Sequence, residues 1–329
     1  MIGIKMFLRK NVSKVVVVLM ISSFLACKKD NGINSEILKI PIELRVSRFD
    51  QMLSKANSSD LPELKLAFPF LFNTKVPDSV WLNKINDPLQ QELYSEVDKK
   101  FNDFSEPQRQ IEDFYRHMVY YYPDFETPEI VTLVNEVDYR NKTIATDTLV
   151  LIALDNYLGA DHRFYQNIAQ YISANMKEDQ IVCDLAQAYA RQMVQQKPPR
   201  SLLDEMIYQG KQLYFKDIMI PFKPDAEKIG YSEEQLKWAN DNESSIWSYF
   251  IDKELLYSTD TKLNGRFINP APYSKFYLEL DNESPGRIGV YIGWQIVRAY
   301  AKNTEADLAT LMRMPADELF KKSKFKPNK

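Results

Sequence analysis

Residues 286–300 read Gly286-Arg287-Ile288-Gly289-Val290-Tyr291-Ile292-Gly293-Trp294-Gln295-Ile296-Val297-Arg298-Ala299-Tyr300. Apolar side chains surround this run on nearly every side. A helix that is apolar nearly all round belongs in an interior. Gly289 and Gly293 stand four apart, on one helix face, and lack the side chains that would hold a neighbouring backbone away. Two readings fit: a core helix packed closely against its neighbour, or a groove lined by Arg287, Tyr291, Trp294 and Arg298 that holds a peptide or a partner loop. Both predict a buried helix over 286–302.

Helical spacing continues on either side of it. Apolar residues recur with a helical period over 161–176, 179–196, 200–215 and 232–257, and a short helix is expected near 304–313. Lys197-Pro198-Pro199 separates the second of these from the third. Within 232–257, Glu243 and Trp247 share a face at i, i+4 and join the candidate groove, with Glu243 expected to bond Arg287 or Arg298. Further upstream, Asp78-Ser79 can cap a helix from Val80 that kinks or breaks at Pro88, and Pro107 opens another that Pro123 closes. Leu61 to Phe72 reads as a short helix or turn ending at Pro69.

Three segments change period. Ile37 to Phe49 alternates as a half-buried strand, and Ile130–Tyr139 with Thr148–Leu154 reads as a strand pair around a polar 139–143. The fold class is therefore α+β, predominantly α-helical, with a small antiparallel sheet. The Lys-rich end reads as a solvated tail, with contact to anionic lipid or a partner as the alternative.

The first residues form a targeting segment. Lys5, Arg9, Lys10 and Lys14 precede an apolar stretch from Val15 to Ala26. This is shorter than the roughly 20 apolar residues of a membrane span, and it has the layout of a signal peptide. Ser23-Phe24-Leu25-Ala26-Cys27 resembles a bacterial lipobox, which implies cleavage before Cys27 and acylation of its thiol. More than one acyl chain is needed for stable anchoring, and the resemblance implies several. The expected organisation is a signal peptide at 1–26, acyl-Cys27 with a tether at 27–36, and one globular domain at 37–329.

Composition excludes several functions. The net charge is -3, with 26% charged residues, which carries no electrostatic footprint for nucleic acid. Only 9 glycines occur, and neither a Walker A nor a dinucleotide-binding glycine motif is present. With Cys27 lipidated, Cys183 has no cysteine left to pair with and reads as a small buried hydrophobe.

The chain resembles the gliding-motility lipoprotein GldB family of the Bacteroidetes. The resemblance rests on Asp155-Asn156-Tyr157-Leu158-Gly159-Ala160-Asp161-His162, on Asn242-Glu243-Ser244-Ser245-Ile246-Trp247, and on the 286–300 run, together with their order and the lipoprotein start. It covers essentially the whole mature chain. It implies a lipid-anchored envelope protein of the gliding machinery, with other envelope proteins as partners.

That family is similar to predicted zinc peptidases, in which a strand pair precedes a helix bearing His-Glu-x-x-His and a later helix supplies a Glu ligand before a Gly. The resemblance implies a degenerate, zincin-like helical body. It places Cys183, Asp184 and Gln187 where the two His and the Glu would stand, and Gln209, before Gly210, at the further ligand. Gln is a poor zinc ligand, so neither metal nor other cofactor is expected.

Other catalytic readings are weak. His117 lies on a helix among aromatics, and His162 sits near a helix start that Asp161 can cap, with no evident partner. Asp204-Glu205 and Glu233-Glu234 are sequence neighbours that point apart on a helix. The favoured expectation is a non-enzymatic, partner-binding component of the gliding machinery. The alternative is a zincin-derived hydrolase or peptide-binding lipoprotein. Lys28 after Cys27, where enteric bacteria use a retention Asp, favours the outer membrane, facing the periplasm.

Overall fold

Leu149-Val150-Leu151-Ile152-Ala153 is apolar without alternation, which suits a strand covered on both faces. The computed structural model describes residues 35–195, 198–279 and 281–328. The signal segment 1–26, Cys27 and the tether as far as Asn34 lie outside the described residues. From Glu36 onward the chain forms one compact unit.

Four strands are present: β1 (Val46–Arg48), β2 (Glu129–Leu133), β3 (Thr143–Ala145) and β4 (Leu149–Ala153), in the order β1-β2-β4-β3. The expected antiparallel sheet is corrected to a mixed one. β1 and β4 both run parallel to β2, and only β3 is antiparallel, to β4. Segment 130–139 does lie beside 148–154. The chain reaches β4 by first running along the sheet edge as β3, then turning at 146–148 and inserting between β3 and β2. The expected strand 37–49 is extended and alternates in burial from Ile40 to Val46, but only its last residues join the ladder.

The sheet separates two cores. Val131, Leu149 and Leu151 face a smaller one rich in aromatics, built on Phe49, Phe68, Phe72 and Tyr94. Ile130, Val150 and Ile152 face the larger one. The N-terminal helices are α1 (Phe49–Ser54), α2 (Leu61–Ala67), α3 (Asp78–Asn86), α4 (Pro88–Phe101) and α5 (Ser105–Tyr121). The break at Pro88 follows its local chemistry. Asp87 accepts the backbone N–H of Gln90 at 2.8 Å, and Pro88 occupies the first helical position, where no N–H is needed.

The helix expected over 161–176 is corrected to a 3-10 turn at Arg163–Tyr165 and a single turn, α6 (Gln170–Ser173). Tertiary contacts override its helical spacing. The Tyr165 hydroxyl donates to the Asp155 carbonyl at 2.6 Å and accepts the Leu158 N–H at 3.0 Å, while Leu158 bridges Lys177.

The helical body follows as α7 (Ile181–Met193), α8 (Leu202–Met219), α9 (Asp225–Ile229), α10 (Glu233–Asp241), α11 (Glu243–Asp252), α12 (Lys262–Phe267), α13 (Ile288–Asn303), α14 (Leu308–Arg313) and α15 (Ala316–Ser323). The helix expected over 232–257 is two, separated at Asn242, whose side chain donates to the Trp238 carbonyl at 2.9 Å. α13 and α8 make the most extensive helix contact of the molecule. Their backbones meet at Gly210 and Gly293. A Cβ on Gly293 would lie 1.8 Å from the Met206 carbonyl oxygen. Among the described residues no helix is long and apolar enough to cross a membrane.

Candidate functional site

The apolar residues Ile181, Val182, Leu185, Ala186, Tyr189 and Ala190 form one stripe on α7 and bury it. Cys183 lies in that stripe and is fully buried; burial pushes its thiol up to about 11. A thiol that stays protonated at neutral pH is neither a nucleophile nor a ready metal ligand. Asp184 turns toward β3, where it accepts the Tyr157 hydroxyl at 3.0 Å and pairs with Lys142 at 2.5 Å. Gln187 donates to the Gln212 side chain.

Among the four positions, Gln209 has no hydrogen bond to the other three. Gln212, one turn further along α8, is the buried residue facing α7, while Gln209 is half-exposed. Gly210, next to Gln209, is committed to the contact with α13. The Gln212 amide nitrogen has no partner. Lys216, another turn along, is also buried. It donates to the Lys228 carbonyl at 3.0 Å, and burial lowers it to about 8. Among the described residues no three His, Cys, Asp or Glu side chains gather as a metal-binding set.

The six groove candidates are brought together, but in a packed seam and not around an open channel. Tyr291 and Trp294 are fully buried. Trp294 Nε1 donates to Asp217 at 2.8 Å, and the Arg298 guanidinium lies 3.7 Å from the Trp294 ring centroid. Arg298 grips Asp217 through two nitrogens, each at 2.7 Å, and reaches Asp225 at 2.8 Å. Lys228 completes the cluster at 3.1 Å from Asp217. Burial opposes ionisation of Asp225, but its bonds to Arg298 outweigh it and hold the carboxyl low. Arg287 donates to the Ile229 carbonyl at 3.1 Å. Asp217 and Asp225 escaped the sequence reading. The signal that could have found them was Arg298 itself, a cation on a helix bound for the interior, where a charge needs a partner.

Glu243 bonds neither Arg287 nor Arg298, and that expectation is corrected. Its buried carboxylate accepts the Tyr291 hydroxyl at 2.8 Å and, from the far end of the chain, the Asn328 backbone N–H at 3.0 Å and side-chain amide at 3.2 Å. Trp247, on the same face, is covered by Phe320 and Phe325, ring centroids 5.9 and 5.1 Å away. The C-terminal segment, expected as a frayed tail, therefore folds as α15 and closes over this end of the seam. Leu319 is fully buried beneath it.

The histidines are held by neighbours. His117 Nδ1 lies 2.8 Å from the Asp113 carbonyl, Nε2 is buried without a partner, and burial depresses the ring's pKa. His162 itself, in place of Asp161, caps the 3-10 turn, and its Nε2 lies 3.5 Å from Glu96. Asp204 belongs to the capping box of α8, and Glu233 and Glu234 lie in the first turn of α10.

No curated protein and no solved structure matches the chain. One family model does, that of gliding motility protein GldB, and it spans residues 30–327. A match over so much of the chain, including every element of the seam, places this protein in the GldB gliding motility family.

Proposed function

We propose that the chain is a lipid-anchored envelope component of the gliding machinery, which acts as a non-catalytic scaffold for partner proteins. Acyl-Cys27 would hold it at the outer membrane, with the body in the periplasm. Family membership supports the gliding role. One observation carries the non-catalytic half: the positions where a zinc peptidase would keep its ligands and base are internally committed. Cys183 is shut in the core, Asp184 pairs with Lys142 and accepts the Tyr157 hydroxyl, and Gln187 is tied to Gln212. Activating a water requires an available metal or base, and these side chains offer neither.

Two measurements test this. Labelling cells with an alkyne fatty acid should mark the wild-type chain and not Cys27→Ser, and the label should follow the outer-membrane fraction. Crosslinking in the native envelope should then trap gliding-machinery proteins. Zinc is measured by elemental analysis of protein prepared without chelator. Stoichiometric zinc together with chelator-sensitive peptidase activity would replace the scaffold with the hydrolase reading.

A further inference from the structure

The helix α15 is fixed in place, and the segment after it is held differently. Leu319 and Ser323 are fully buried, and the Ser323 carbonyl accepts the Asn303 side-chain amide of α13 at 2.7 Å. At Lys324 the chain turns through φ 49, a left-handed conformation uncommon for any residue but glycine. Residues 325–328 then cross the start of α11, with two points of attachment. The Phe325 ring meets the Trp247 ring edge-on at 5.1 Å. Asn328 gives its backbone N–H and its side-chain amide to the Glu243 carboxylate, at 3.0 and 3.2 Å. Lys324, Lys326 and Asn328 are exposed, so a single layer of chain separates that carboxylate from solvent.

Glu243 lacks a counter-charge. It is 2% exposed, and every bond it makes is accepted from a neutral donor: the Tyr291 hydroxyl and the two Asn328 groups. Asp50, buried to the same degree, is gripped by two nitrogens of Arg48 at 3.1 and 2.8 Å. Asp217 shares Arg298 and Lys228. A buried charge is costly without an opposite one, and a hydrogen bond from a cation is roughly twice as strong as one from a neutral donor.

The segment therefore outlines a ligand: an aromatic ring on Trp247 and, three residues on, donors to Glu243. A guanidinium or ammonium in place of the Asn328 amide would keep that outline and add the charge that Glu243 lacks. The open cleft of ≈ 520 Å³ between the start of α4 and the turn at 135–138 holds no such guide. Gln90, Val137 and Phe164 line it, but the Gln90 amide nitrogen is enclosed against the Tyr94 phenol. We propose that residues 325–328 are a displaceable strap over a peptide subsite, and that a partner segment with an aromatic residue followed three positions later by Arg or Lys takes their place, its ring on Trp247 and its cation on Glu243. While the strap is down the subsite is closed and the seam offers a partner nothing. The assignment rests on the partner-binding reading above and names the surface and the chemistry of the segment it takes.

The test uses the full chain purified in detergent, titration calorimetry, and hydrogen exchange read by mass spectrometry. The probes are the amidated peptides acetyl-Phe-Lys-Pro-Arg and acetyl-Phe-Lys-Pro-Asn, the second being the strap's own sequence. The Arg peptide should bind about tenfold tighter, as for a neutral hydrogen bond replaced by a charged one. Once bound, it should raise hydrogen exchange in residues 325–328. Ending the chain after Lys324 should tighten both peptides about tenfold, because it removes a competitor that its tether holds at an effective concentration on the order of millimolar. Glu243→Gln should erase the preference for Arg. Circular dichroism verifies folding. If the shortened chain unfolds, Phe325→Ala, which takes only one ring off Trp247, replaces it with the same expected direction. Equal affinity for the two peptides, a preference that survives Glu243→Gln, no binding once the strap is removed or loosened, or bound peptide with unchanged strap exchange would each overturn the assignment. Those failures would leave envelope crosslinks intact, so they are distinguishable from failure of the scaffold reading.

Discussion

The α8–α13 seam and the α4 cleft are both rich in polar side chains, and they treat them in opposite ways. In the seam, Trp294, Arg298, Tyr291 and Glu243 each meet a partner supplied by another element. Beside the α4 cleft, the buried Gln90 amide is enclosed against the Tyr94 phenol of its own helix, and two residues are held at positive φ. A polar cluster that satisfies itself has nothing left to offer a ligand, however functional its residue types look. The strain beside the cleft is held by the buried Asp155 carboxylate, which accepts the backbone N–H groups of Asn135 and Val137.

The sharpest way to break this contrast is at the helix crossing. Gly293→Ala puts a methyl group against the Met206 backbone, which a side-chain rotation cannot relieve. It should cost about 3 kcal/mol, at the upper end for overpacking, read as a lower urea midpoint. A silent substitution would mean that the seam is loosely packed. Asp217→Ala strands Trp294 Nε1 and removes the carboxylate that Arg298 and Lys228 share. Because Arg298 keeps Asp225 and some solvent, the loss should be about 2 kcal/mol, below the full cost of breaking a buried pair.

A third substitution should stabilise. Lys216 is buried with its folded pKa depressed from 10.5 to about 8, so below pH 8 the folded state carries a charge it poorly solvates. Lys216→Met should therefore gain about 1 kcal/mol at pH 7, after allowing for the hydrogen bond lost by the Lys228 carbonyl. Between pH 8 and 10.5 the wild type sheds that charge and becomes more stable, so the advantage of the variant should shrink across that window. Denaturation at pH 7 and pH 10 measures it, and a constant difference would show that Lys216 is not strained. The smallest effect is expected in the cleft. Glu136→Gly relieves a positive φ at the expense of an exposed ion pair and should stabilise by about 0.5 kcal/mol. A loss of stability would deny that the turn is strained.

Much of the helical body was legible because its signals are local. The breaks at Pro88 and at Pro198-Pro199 follow from proline chemistry that acts within a few residues, whereas Asp78-Ser79, expected to cap, lies inside α3 with no side-chain cap. The burial of 286–300 followed from its apolar circumference. Less visible was α15, whose Leu319 and Phe320 sit in a Lys-rich run and gain cover from α13, α8 and Trp247. The split at Asn242 was hidden because apolar spacing continues across it. Gln209 was preferred to Gln212 because the resemblance specified the residue before a Gly, whereas the orientation of α8 is set by Gly210 meeting Gly293.

The sequence by itself determined what nearest neighbours along the chain decide: helix periodicity, caps and proline breaks, an apolar helix bound for the interior, and the order of motifs that marks the family. Tertiary structure alone decided the parallel pairing of β4 with β2, the engagement of Glu243 by Asn328, and the meeting of Gln90, Val137 and Phe164 around one cavity. These depend on how groups far apart in sequence compete for a limited set of partners. That competition leaves Glu243 bonded to Tyr291 and Asn328, and no local pattern of residues records its outcome.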